Sequence, residues 1–106
     1  MRTELPSGTA AELVHPPTGP SPRGLVVIPD VMGMRPLFDG LVARLAAEWG
    51  LSVAAFEIYP GREDLDVAAR LAAAATLADD RVLGDAVAAA DLTAADRVGI
   101  LGFCMG

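Results

Sequence analysis

Cys104 lies in Gly102-Phe103-Cys104-Met105-Gly106, with one glycine two residues before it and another two residues after. This G-x-C-x-G spacing suits a strand-to-helix turn that presents a nucleophile. Glycine on both sides admits the tight, strained backbone that lifts the central side chain clear of a sheet. The chemistry on offer is attack on a carbonyl carbon. A thiolate does this well, but a free thiol with a pKa of about 8.5 is only slightly ionised at neutral pH. At the N-terminus of a following helix, the dipole and the free N–H groups lower that pKa. The backbone N–H of Met105 would then point at a developing oxyanion. A buried cysteine after a strand would fit the same letters, but the preceding run Arg97-Val98-Gly99-Ile100-Leu101 favours the nucleophile.

Asp30 is the second candidate. It follows the apolar stretch 25–28, at the carboxyl end of a strand, where open α/β sheets bind their ligands. A carboxylate there can hold or deprotonate a nearby thiol, or simply cap the helix that follows. The loop 29–35 also places the backbone N–H of Val31 after a strand and before the first helix, where a second oxyanion donor belongs. Arg62 and Arg35 both follow strand ends, and either can grip a substrate carboxylate through two hydrogen bonds. Glu63 and Asp64 beside Arg62 offer it an ordinary ion pair instead. His15 is the single histidine and precedes the nucleophile, whereas the base served by such an elbow comes after it, so His15 reads as structural. No Cys, His and carboxylate cluster has metal-ligand spacing and no glycine-rich phosphate loop occurs.

The bulk properties narrow the class. With 106 residues, 53% of them apolar, the chain is at most one small packed domain. Much of the apolar content is alanine, which buries little area. Net charge is −6 and all eight cations are arginine, with no basic stripe, so nucleic-acid binding has nothing to rest on. One cysteine cannot form an internal disulfide, which fits a reducing cytoplasm. The N-terminus lacks the apolar stretch of a secretory signal, and no run is long enough to span a membrane.

The elements that must position these residues follow from periodicity. Residues 1–9 read as a loose start, 10–15 as a short strand, and 16–24, rich in proline and glycine, as a turn. Residues 25–28 are a continuous apolar run, the pattern of a strand buried on both faces, and 51–58 read as a second buried strand. Pro36–Trp49 reads as a helix with Leu37, Phe38, Leu41, Val42, Leu45, Ala46 and Trp49 on one face, Pro36 at its start and Gly50 as its cap. An alanine-rich helix is expected over 66–78, and another over 79–91 with Val82, Leu83, Ala86, Val87 and Ala90 inward. Residues 97–101 make the strand that runs into the Cys104 turn. The alternation predicts a three-layer αβα fold with a mostly parallel sheet and right-handed crossovers.

Taken together, the stretch Leu25-Val26-Val27-Ile28-Pro29-Asp30-Val31-Met32-Gly33, the helix from Pro36 to Trp49, Phe56-Glu57-Ile58-Tyr59-Pro60-Gly61-Arg62 and the terminal elbow resemble the dienelactone hydrolase family. The resemblance covers about residues 10–106 but only the N-terminal half of that family's α/β-hydrolase fold, so it implies an incomplete domain. It implies a hydrolase of small, carboxylate-bearing esters or lactones with Cys104 as nucleophile, Val31 and Met105 as oxyanion donors and no cofactor. Asp30 falls where the family commonly has a glutamate touching the resting thiol, and aspartate is one methylene shorter. Arg62 falls near a substrate-binding arginine, one residue further from Tyr59, which widens the expectation to esters and lactones in general. The family's triad aspartate and histidine have no counterpart in these 106 residues, so the chain alone is expected to be inactive until the other half of the domain joins it. Two other readings compete. One is a glutamine-amidotransferase-like enzyme, which presents a cysteine in a similar turn; the other is a truncated product or assembly module that needs a partner half.

Overall fold

Strand β4 (Ser52–Phe56) is buried at every position, and the other elements are arranged around it. The computed structural model describes residues 1–30, 33–58, 66, 68, 69, 72 and 79–103. Within them run β1 (Arg2–Glu4), β2 (Ala10–Val14), β3 (Arg23–Ile28), α1 (Pro36–Trp49), β4, α2 (Asp79–Leu92) and β5 (Arg97–Gly102). The sheet order is β1-β2-β4-β3-β5. Strands β3, β4 and β5 run parallel, while β2 pairs antiparallel with both β1 and β4. The sheet is therefore mixed: the parallel part expected from the αβ alternation carries an antiparallel hairpin at one side.

Alternation along β4 divides the interior in two. Ala54 and Phe56 point toward α2 and pack with Leu13, Val26, Ala86 and Ala89. Val53 and Ala55 point toward α1 and pack with Val27, Phe38, Val42 and Leu45. A strand with helices over both faces is buried on both of them, and this explains why β4 is apolar at every position but Ser52. The result is the expected αβα sandwich, thin because alanine fills much of it.

Helix α1 matches its expected bounds. Pro36 stands in its first turn, and Gly50 takes the left-handed conformation at φ 65°, its N–H donating to the Ala46 carbonyl at 3.1 Å. Phe38, Val42, Leu45 and Ala46 face the sheet, whereas Leu37 and Trp49 stay exposed. The apolar stripe is narrower than the sequence suggested. In α2 the inward face differs more. Asp85, Ala86 and Ala89 are buried, while Leu83 and Val87 are each 63% exposed. The reason is polar. The Asp85 carboxylate accepts hydrogen bonds from Ser7 Oγ at 2.6 Å, Thr9 Oγ1 at 2.7 Å and Arg81 at 3.1 Å, which rotates that side of the helix inward.

The start of the chain is a second correction. Residues 2–4, expected within a loose N-terminus, form the edge strand β1 in register with Glu12, Ala11 and Ala10. Arg2 reaches across to Asp39 of α1 at 3.0 Å, and Leu5 is buried in the α2-side core. The alanine-rich helix expected over 66–78 lies mostly outside the described residues; Asp66 accepts the N–H of Ala69 at 2.8 Å, the bond of a helix N-cap. Gly24 is required where it stands. A Cβ there would sit 2.8 Å from Thr93 Oγ1 and 3.0 Å from Ala95, so β3 enters the sheet tight against the α2–β5 turn. Among the described residues no helix is long and apolar enough to cross a membrane.

Candidate active site

Three parallel strands end side by side, and Asp30 stands just past the end of β3. The register pairs Ile28 of β3 with Gly102 of β5, and the N–H of Phe103 donates to the Ile28 carbonyl at 3.1 Å. Asp30 follows Ile28 by two residues, and Cys104 follows Phe103 directly. Topology therefore brings the β3–α1 loop and the entrance to the G-x-C-x-G turn to one level of the sheet, at the carboxyl edge where α/β folds bind ligands. Cys104, Met105, Val31 and Arg62 lie outside the described residues, so of the expected site the structure locates Asp30 alone.

Asp30 meets Arg35, which sits five residues on, at the entry to α1. The Arg35 guanidinium grips both carboxylate oxygens, Nη1 to Oδ1 at 2.7 Å and Nη2 to Oδ2 at 3.1 Å. The hydrogen bond that Arg35 donates to Asp30 raises the Arg35 pKa above its ordinary value, partial burial opposes this, and the attraction of the carboxylate adds to the rise. Between the two residues, Gly33 takes φ 70° and its N–H donates to the Asp30 carbonyl at 2.9 Å, closing a turn that a residue with a Cβ would strain. Arg35 also lies over the Phe38 ring at 5.0 Å, and Phe38 meets Phe103 edge to face at 5.3 Å. Beside Phe103 opens a groove of 480 Å³ lined by Asp30, Pro36, Leu37, Phe38, Leu41 and Phe103, among others.

Glu57 completes the described site. It is the residue after β4, wholly buried, and its Oε2 accepts the backbone N–H of Met34 at 2.8 Å. Neither this bond nor the Asp30–Arg35 pair was singled out from sequence. A signal for each existed: a lone carboxylate inside the apolar stretch 51–58, and an acid and an arginine flanking a loop with glycine at 33. His15 is at the opposite end of the sheet, its Nδ1 2.7 Å from Ser52 Oγ, which also accepts the N–H of Ser21 at 2.9 Å. It serves the packing of the β2–β3 turn, as its position in the chain implied.

The family model for dienelactone hydrolases matches residues 10–106. The chain belongs to the dienelactone hydrolase family. Its fold is similar to the crystal structure of a candidate dienelactone hydrolase from Klebsiella pneumoniae, with a TM-score of 0.83 and 26% identity. That match covers 100% of this chain and 50% of the other. A second solved structure, m3DLH, shares the fold at a TM-score of 0.71 and 24% identity, with 100% of this chain and 49% of the other covered. The chain thus spans about half the length of the hydrolase structures it matches. No curated protein sequence matches it significantly.

Proposed function

We propose that this chain contributes the nucleophile-bearing half of a hydrolase that cleaves esters or lactones of small molecules, with Cys104 as the attacking group. The observation that carries the reading is the β3–β5 register, which sets Asp30 and the residue preceding Cys104 at the same edge of the sheet. The Cys104 thiolate adds to the substrate carbonyl, and the N–H groups of Val31 and Met105 stabilise the oxyanion that forms. The tetrahedral species collapses, the carbon–oxygen bond to the leaving alcohol breaks and that oxygen takes up a proton. Water then attacks the thioester, releasing the acid and restoring the thiol. Arg62 serves as the group that holds a substrate carboxylate. Asp30, paired with Arg35, orders the β3–α1 loop and is the carboxylate this reading assigns to the thiol proton.

The base that relays protons in this scheme comes from the remaining half of the fold. Strand β5 is at the edge of the sheet, with Ile100 64% and Leu101 37% exposed, an apolar edge suited to a further parallel strand. We infer that the other half adds its first strand there and covers both residues. The test is hydrolysis of p-nitrophenyl acetate by the whole protein and by residues 1–106 alone. The whole protein should turn over, Cys104→Ala should lose at least about a thousandfold, and the 106-residue chain should be inert. Turnover that survives Cys104→Ala would remove the thiol from the mechanism.

A further inference from the structure

A carboxylate enclosed in a protein interior is costly unless hydrogen-bond donors meet it. An apolar residue of similar size would fill the space after β4 without that cost. Glu57 is instead the one charged residue in the stretch 51–58, and its Oε2 takes the N–H of Met34, in the loop between β3 and α1. Its own N–H donates to the Ala10 carbonyl at 2.9 Å, so the residue is anchored to β2 while its side chain reaches the loop. The other side of that loop is tied by the Asp30–Arg35 pair and by the Gly33 N–H on the Asp30 carbonyl. Val31 lies in sequence between the tied residues.

We propose that Glu57 is a positioning residue for the oxyanion site: by holding Met34 it fixes the β3–α1 loop, whose Val31 N–H the hydrolase reading takes as an oxyanion donor. The inference rests on the hydrolase reading above. Aiming matters because a donor stabilises the transition state only if its direction is set before charge develops. The substrate itself does not touch Glu57, so its loss acts on the rate constant for chemistry and leaves substrate binding alone.

The experiment compares wild type, Glu57→Gln and Glu57→Leu in the whole protein. It uses p-nitrophenyl acetate for kcat and KM, and hydrogen exchange at the Met34 amide. Cys104→Ala serves as the control for the hydrolase reading. Leucine fills the site with no acceptor and should lower kcat on the order of 10- to 100-fold, less than the loss of a donor itself. KM should stay within about twofold, since only transition-state contacts change. Glutamine keeps one acceptor and should fall between the two, with Met34 exchange faster in step with the loss of kcat. A folded leucine variant with wild-type kcat, or a loss confined to KM, overturns the proposal while leaving the nucleophile assignment intact. If the leucine variant does not fold, the glutamine variant decides. Lower kcat together with faster Met34 exchange supports the proposal, and any other pairing of the two overturns it. A wild type without Cys104-dependent turnover removes the hydrolase reading, and the proposal with it.

Discussion

Asp85 and Glu57 are both carboxylates buried in a small, alanine-rich domain, and they do different work. Asp85 collects side-chain donors from Ser7 and Thr9, which flank β2 on its N-terminal side, and from Arg81 one turn back on its own helix. Arg81 continues the chain of contacts to the carbonyl of Ile58 at 2.7 Å. The cluster joins the N-terminal hairpin, α2 and the end of β4, at the cost of burying one charge. Glu57 takes a backbone N–H from the loop between β3 and α1. A carboxylate met by side chains from several elements holds elements together; one that accepts a loop's backbone N–H constrains that loop's course. Where a thin core cannot supply enough apolar area, a satisfied polar cluster of the first kind takes on part of the task.

The sharpest way to break this contrast is Asp85→Ala. It leaves two hydroxyls and a guanidinium without their acceptor, and removing one member of such a buried cluster costs about 3 kcal/mol or more. Urea unfolding should show that loss, while kcat per folded molecule stays near wild type. A large fall in kcat with little change in stability would reverse the roles assigned to the two carboxylates. Thr9→Val should follow with a smaller loss, about 1–2 kcal/mol, because it deletes one donor at a residue with only 1% of its surface exposed. Glu57→Leu belongs lower on the stability scale and higher on the kinetic one. It leaves the Met34 N–H without this acceptor but fills the space, so unfolding should shift by about 1 kcal/mol.

Such contrasts were only partly legible in the chain. The parallel strands and α1 could be read because each rests on local pattern: apolar stretches, helical spacing, a capping glycine at position 50. The dienelactone hydrolase resemblance stood on those same residues. Strand β1 could not be read, since three residues gain strand structure only through their partners Ala10, Ala11 and Glu12. The face of α2 was misjudged because Leu83 and Val87 fit an apolar stripe, while Asp85 earned its buried place from Ser7 and Thr9, more than seventy residues away. Asp30 was found from its place after a strand, but its bond to Arg35 depends on the turn at Gly33 bringing the two together. Glu57 looked like a strand end because nothing nearby in sequence discloses that Met34 is its partner.

Arg35→Gln is the mildest test. Both members of the pair keep about a quarter of their side-chain surface exposed, 29% for Arg35 and 26% for Asp30, so water screens the attraction. The stability loss should be about 0.5–1 kcal/mol, the range of a well-formed but partly exposed pair. Its pH dependence has a definite sign. The Arg35 pKa is raised above its ordinary value on folding, so its contribution is fully present below that ordinary value and is lost only as pH climbs through the still higher folded one. The gap between wild type and Arg35→Gln should therefore be the same in urea unfolding at pH 7 and at pH 9. The kinetic effect should nonetheless exceed the thermodynamic one, a fall in kcat on the order of tenfold, because a small shift of a positioned group costs rate before it costs stability. If kcat holds while stability falls, the Asp30–Arg35 pair belongs with Asp85 among the contacts that hold the fold, and Glu57 alone is left to direct the loop.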